Sequence, residues 1–149
     1  MWAALDAEFY LAFDAGREDC VSLVSGLKCN MLLLPTAYHE IADLCVQTED
    51  QELRARALDA LKFMAANGVL AAPAPAQNIG IDDGFAHFLI QTGIVEADQR
   101  DAALILAEAA CLQVACLLTL DPELIAVDPE ALTQAIKDKD LYPFEIKTV

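Results

Sequence analysis

Basic residues are scarce in this sequence: 9 Lys and Arg stand against 24 Asp and Glu, a net charge of −15 over 149 residues. Proteins that bind duplexes non-specifically hold phosphate through basic contacts, so this balance counts against that class. It favours cations and basic partner peptides instead. The five cysteines, Cys20, Cys29, Cys45, Cys111 and Cys116, form no CxxC pair and no Cys/His ligand spacing. This argues against a structural zinc site or a disulfide framework, and the odd count reads as buried reduced thiols. Serine is scarce and no nucleophile elbow occurs, which argues against a hydrolase triad. Neither GxxxxGK[ST] nor GxGxxG is present, so nucleotide-binding folds find little support. No apolar run approaches the roughly 18 to 20 residues that span a bilayer. Trp2 to Leu5 meets Asp6 at once, so no secretory leader is expected and the chain reads as cytoplasmic.

What is abundant is apolar surface, at 56% hydrophobic residues and a mean hydropathy of +0.37. Much of the excess is alanine, which suits close-packed helices, and some could lie between subunits. A chain of 149 residues fits one domain, 1–149, with a real core. No repeat, linker or low-complexity tract interrupts it.

Trp2 to Leu5 predicts a first strand, and Ala7 to Ala15 a helix closed near Gly16. A second helix covers about Glu18 to Leu27. Met31 to Leu34 is continuously apolar, as a strand covered on both faces should be. Pro35 takes a favoured first helical position, and Thr36 to Val46 continues that helix. Asp50 to Asn67 carries the stripe Leu53, Ala57, Leu61 and Met64 and is expected to stop at Gly68. Val69 to Ala72 predicts a third strand, after which Pro73 and Pro75 force an extended connection. Asp82 or Asp83 is expected to cap a helix bearing Phe85, Phe88 and Leu89, and Asp98 to open one burying Ala102, Ile105, Leu106, Ala109 and Ala110. Val114 to Leu120 gives the strongest strand signal and ends at Asp121. A helix near Glu130 to Lys137 and a strand around Phe144 to Thr148 follow. This alternation implies an α/β fold with a mostly parallel sheet and helices on its faces.

In such a sheet, ligands bind outside the carboxyl ends of the strands. Asp6 and Asp121 close the first and fourth predicted strands. Glu40 lies in the second turn after Pro35, and Asp101 opens the helix leading into the fourth strand. Four separate segments would then bring carboxylates to one edge, where they repel unless a divalent cation holds them. Magnesium or manganese takes hard oxygen ligands and activates water toward a phosphodiester without His or Cys. Each residue also has a plainer reading. Asp101 and Asp121 serve as helix or turn openers, and Glu40 as a solvated helix residue. His39-Glu40-Ile41-Ala42-Asp43 lacks the second histidine of a zinc-protease helix. His87 reads as a packed or surface side chain, and Gly80 to Gly84 as a turn.

The flanks carry a resemblance. Leu5-Asp6-Ala7, the run Leu34 to Leu44 containing Glu40, Asp101 to Ala109, and Leu117-Leu118-Thr119-Leu120-Asp121 together resemble a PIN domain, most of all the stand-alone VapC-type toxins. The likeness implies a three-layer α/β/α sandwich whose acidic cluster binds Mg2+ or Mn2+ and cleaves RNA. Carried over, Asp6, Glu40, Asp101 and Asp121 would be the metal-binding and catalytic acids. It further implies an antitoxin partner that blocks the site and a homodimer. Family members often carry a small polar residue two positions after the first Asp; here that position is Glu8. Arg100 and Arg17 are the candidate phosphate contacts, with solvated surface charge as the alternative for each. A PIN-like protein-binding module without catalysis is the rival function, and a phosphatase or nuclease acting on DNA ends a third.

Overall fold

Trp2, Ala3, Ala4 and Leu5 offer no polar side chain to a solvent face, and they form the central strand of a parallel sheet. The computed structural model describes residues 1–72 and 80–149. Its strands are β1 (Trp2–Leu5), β2 (Asn30–Leu33), β3 (Val69–Ala71), β4 (Cys116–Leu118) and β5 (Glu145–Lys147). They lie in the order β3-β2-β1-β4-β5, and every pairing is parallel. The helices are α1 (Ala7–Asp14), α2 (Glu18–Leu27), α3 (Pro35–Gln47), α4 (Gln51–Lys62), α5 (Ile81–Gln91), α6 (Arg100–Cys111), α7 (Pro122–Ile125) and α8 (Pro129–Asp138).

From β1 the chain steps outward through β2 to β3, then crosses back to β4 on the other side of β1. The strand order reverses there. The crevice above the carboxyl ends of β1 and β4 is where such sheets bind ligands. The register sets the two strand ends side by side: Leu5 pairs with Leu118, and the Asp6 N–H continues the ladder to the Leu118 carbonyl at 3.3 Å.

Both central strands are buried on both faces; Ala4, Leu5, Leu117 and Leu118 have no exposed surface. Helices cover the sheet, as expected for parallel strands of this composition. α6 is buried almost all round, from Ala102 to Ala110 apart from Leu104. Its alanines let α5 lie close along it, while α3 touches it and packs on α4. The buried alanines of α6 therefore serve close helix contacts within the chain.

Several expected boundaries shift. The helix expected over Asp50 to Asn67 ends at Lys62, and the chain then turns, with the Asn67 N–H bonded to the Phe63 carbonyl at 2.9 Å. Gly68, at φ +71°, closes that turn and not the helix itself. Neither Asp82 nor Asp83 caps α5; Gly80 does, at φ +93°, and both acids lie in the first turn. Gln99, not Asp98, precedes α6. β4 itself is three residues long, and the apolar run extends its bonding at either end: the Ala115 N–H donates to the Trp2 carbonyl at 2.8 Å and the Thr119 N–H to the Lys147 carbonyl at 3.1 Å. The connection at Pro73 and Pro75 lies outside the described residues. All five cysteines are free, but only Cys20 and Cys116 are buried. No helix among the described residues is long and apolar enough to cross a membrane.

Candidate functional site

Asp6 is the N-cap of α1, with extended backbone angles and its carboxylate accepting the Phe9 N–H at 2.9 Å. An aspartate there satisfies an orphan amide and sits in the positive end of the helix dipole. Its second oxygen accepts a hydrogen bond from the buried Thr119 hydroxyl. Thr119 Oγ1 in turn accepts the Asp121 N–H at 2.9 Å. One hydroxyl thus joins the acid after β1 to the acid after β4. Asp121 caps α7 by accepting the Glu123 N–H at 3.0 Å. Asp101 is exposed in the first turn of α6.

Three of the four acids therefore occupy helix N-termini, where a carboxylate has a structural role of its own. Glu40 differs. It lies mid-way along α3, caps nothing, and enters no hydrogen bond or ion pair among the described residues.

The four converge. Asp6, Glu40, Asp101 and Asp121 line one cavity of about 260 Å3, together with Glu8, Gln99 and the apolar Ala7, Ala102, Ile105 and Leu124. Its electrostatics follow from this crowding. Burial lifts the Glu40 carboxyl to about 7, and the charges of Asp101, Asp6, Asp121 and Glu8 push the same way. Burial also lifts Asp6, to about 6; the bonds from Thr119 and Phe9 pull it down, and the charges of Glu8 and Asp121 push it up. Like charges in a shared site disfavour each other's ionised form.

The donor chemistry suits a hard divalent cation, which binds carboxylate oxygens and keeps several waters. Among the described residues, no three His, Cys, Asp or Glu groups stand close enough to hold an ion as they are. Asp6 is held at both oxygens and Asp121 at one. Glu40 and Asp101 enter no hydrogen bond among the described residues, so their side chains are the arms that can swing toward a cation.

The two arginines do not join the cavity wall. Arg100 stands beside Asp101 but reaches toward Asp83 at 3.6 Å, on the surface. Arg17 lies beyond the far end of α1, roughly 12 Å along the helix from Asp6 at 1.5 Å per residue, and pairs with Asp19 at 2.8 Å.

Sequence reasoning missed Thr119 and Glu108, two of the three buried polar residues with Asp6. The signal was present in both cases: a hydroxyl inside the apolar run before Asp121, and a glutamate inside the alanine face of α6.

Solved structures share this architecture. A chain in the VapBC2 structure from Rickettsia felis, bound to a DNA fragment from their promoter, matches at 14% identity over 99% of this chain and 98% of that one, TM-score 0.64. A chain of VapBC-1 from nontypeable Haemophilus influenzae matches at 16% identity with TM-score 0.65, and one of VapBC-5 from Mycobacterium tuberculosis, a member of the VapBC family of toxin–antitoxin systems, at 18% with 0.60; each covers 99% of this chain and 98% of its own. No protein-family model matches the sequence, and no curated protein does. At these identities the likeness establishes the fold: the chain has a PIN-like α/β fold over nearly its whole length.

Proposed function

We propose that this chain is a metal-dependent endoribonuclease of the PIN type and the toxin of a toxin–antitoxin pair. One observation carries the reading. Glu40 has no structural task of its own, yet it stands in a cavity with four other acids, where burial first and their charges second hold its carboxyl up at about 7. Folding tolerates such a group where binding compensates for it, and strongly perturbed groups in clefts mark functional sites.

In this reading Asp6, Glu40, Asp101 and Asp121 hold Mg2+ or Mn2+. When bound, the ion supplies activation of water and neutralises charge on the phosphodiester. The chain's own residues do the rest. Thr119 fixes Asp6 and Asp121 relative to each other, and the N-termini of α1 and α7 steady their charge. Glu40 of α3 and Asp101 of α6 would supply the remaining carboxylates to the ion. Arg100, on the rim, is the nearer of the two arginines for guiding an RNA phosphate; Arg17 would act only at a distance along the strand. The overall charge of −15 draws a basic antitoxin segment toward the face that it blocks. A homodimer would cover the exposed Val46 of α3, Leu58 of α4 and Phe63 just after it. The solved VapBC structures support the toxin–antitoxin part of the reading.

The test is cleavage of an RNA strand and a matched DNA strand with Mn2+ or Mg2+, using wild type and Asp6→Asn, with and without chelator. Cutting of RNA that depends on both the metal and Asp6 is expected. RNA cleavage that survives both chelation and Asp6→Asn would remove the mechanism, and preferred DNA cleavage would shift the substrate. The rival, a non-catalytic protein-binding module, is favoured by the scarcity of basic residues and by both candidate arginines being paired with aspartates. It expects no cleavage and no metal binding.

A further inference from the structure

Glu108 is a carboxylate only 6% exposed, on a helix whose other buried residues are all alanine, leucine or isoleucine. Its partner lies 72 residues away. The Thr36 N–H donates to one Glu108 oxygen at 2.9 Å, and the Thr36 hydroxyl donates to the other at 2.5 Å. Thr36 opens α3, which has no cap of its own: Leu34 at the N-cap makes no side-chain bond, and Pro35 has no N–H to offer. Glu108 therefore satisfies the first free amide of α3 from another helix, and its carboxylate faces the positive end of that helix.

This contact lies on the faces that carry the site. Thr36 and Glu40 are one turn apart on α3, and Asp101 and Glu108 two turns apart on α6, so each pair shares a face. Thr36 meets Glu108, while Glu40 shares a cavity with Asp101. The helices therefore pass in opposite senses, and the two-armed contact fixes their register. Glu108 does not line the cavity that Glu40 and Asp101 share; it reaches the site through its contact with Thr36.

We propose that Glu108 is a positioning residue that, by clasping Thr36, sets α3 against α6 so that Glu40 faces Asp101. This role rests on the metal-site reading above. Its probe is manganese alone, titrated calorimetrically into the full chain, with circular dichroism to verify folding. Glu108→Ala should weaken manganese binding about tenfold or more, the size typical of partners that orient metal ligands. Glu108→Gln should bind nearly as wild type, because its amide oxygen still accepts the Thr36 N–H and its amide nitrogen can donate to the Thr36 hydroxyl. Leu106→Ala, which weakens the packing of the same helix without touching Thr36, should leave manganese binding unchanged, whereas both variants would weaken it equally if Glu108 merely stabilised the fold. If Glu108→Ala does not fold, Thr36→Val removes the hydroxyl arm alone and carries the same comparison. Wild-type binding with an unaltered Glu108→Ala, or an equal loss in Leu106→Ala, overturns the proposal. A wild type that binds no manganese overturns the metal reading and this role with it.

Discussion

Replacing Glu40 with glutamine should make the metal-free protein more stable at pH 8 while removing its response to divalent cations. Burial and four neighbouring carboxylates raise the Glu40 carboxyl from 4.5 to about 7. A raised carboxyl value means that the folded state holds its proton more tightly than the unfolded state. Its favourable contribution is complete below pH 4.5, fades as pH rises toward about 7, and is gone above that. At about 1.4 kcal/mol per pH unit, this gap would amount to about 3 kcal/mol for a fully buried group. Glu40 is half-buried, and solvent screening reduces the figure to roughly 1–2 kcal/mol. Glutamine keeps the shape and never ionises. The variant should thus melt higher than wild type at pH 8 by roughly 2–8 °C for a chain of this size, and the two should converge toward pH 5. Millimolar manganese should then raise the wild-type melting temperature and leave the variant unmoved, since a ligand stabilises only the state that binds it. Thermal melts followed by circular dichroism at both pH values, with and without metal, read all of this. A variant no more stable than wild type at pH 8 would refute the idea that Glu40 is held against its neighbours' charge.

Thr119→Val removes the hydroxyl that joins Asp6 to Asp121 and should cost about 1–3 kcal/mol in urea unfolding, because buried partners lose their bonds. It should also move the Asp6 titration, followed by carboxyl carbon NMR, above about 6, since the Thr119 bond is the strongest influence lowering it. Asp6→Asn keeps the cap on the Phe9 amide and should stay folded by circular dichroism, while cleavage of labelled RNA is lost. Leu106→Ala, in the fully buried face of α6, should cost about 2–5 kcal/mol in urea unfolding and leave the manganese affinity of the folded protein unchanged.

The strands and the main helices were legible because this sheet is built from uninterrupted apolar runs. Trp2 to Leu5 stops at a charged residue that caps the next helix, and α2 begins and ends where its periodicity does. The α4 boundary was not legible, because Met64 continues the helical stripe while the backbone has already turned. α7 escaped notice because four residues after a proline carry no period. For the site, spacing put Asp6, Glu40, Asp101 and Asp121 near one sheet edge, and the fold brings all four to one cavity. Sequence could not show that Asp6 spends both oxygens on Phe9 and Thr119, or that Glu108 reaches across to Thr36. Those contacts join segments far apart in the chain, and only the folded register decides them.

Diffraction from crystals grown with manganese, collected at the manganese absorption edge, would settle most directly whether the cavity is a cation site. An anomalous peak should lie among the carboxylates of Asp6, Glu40, Asp101 and Asp121, with Glu40 and Asp101 turned toward it. A cavity without a peak at millimolar manganese, or a peak elsewhere on the acidic surface with those side chains unmoved, would contradict it.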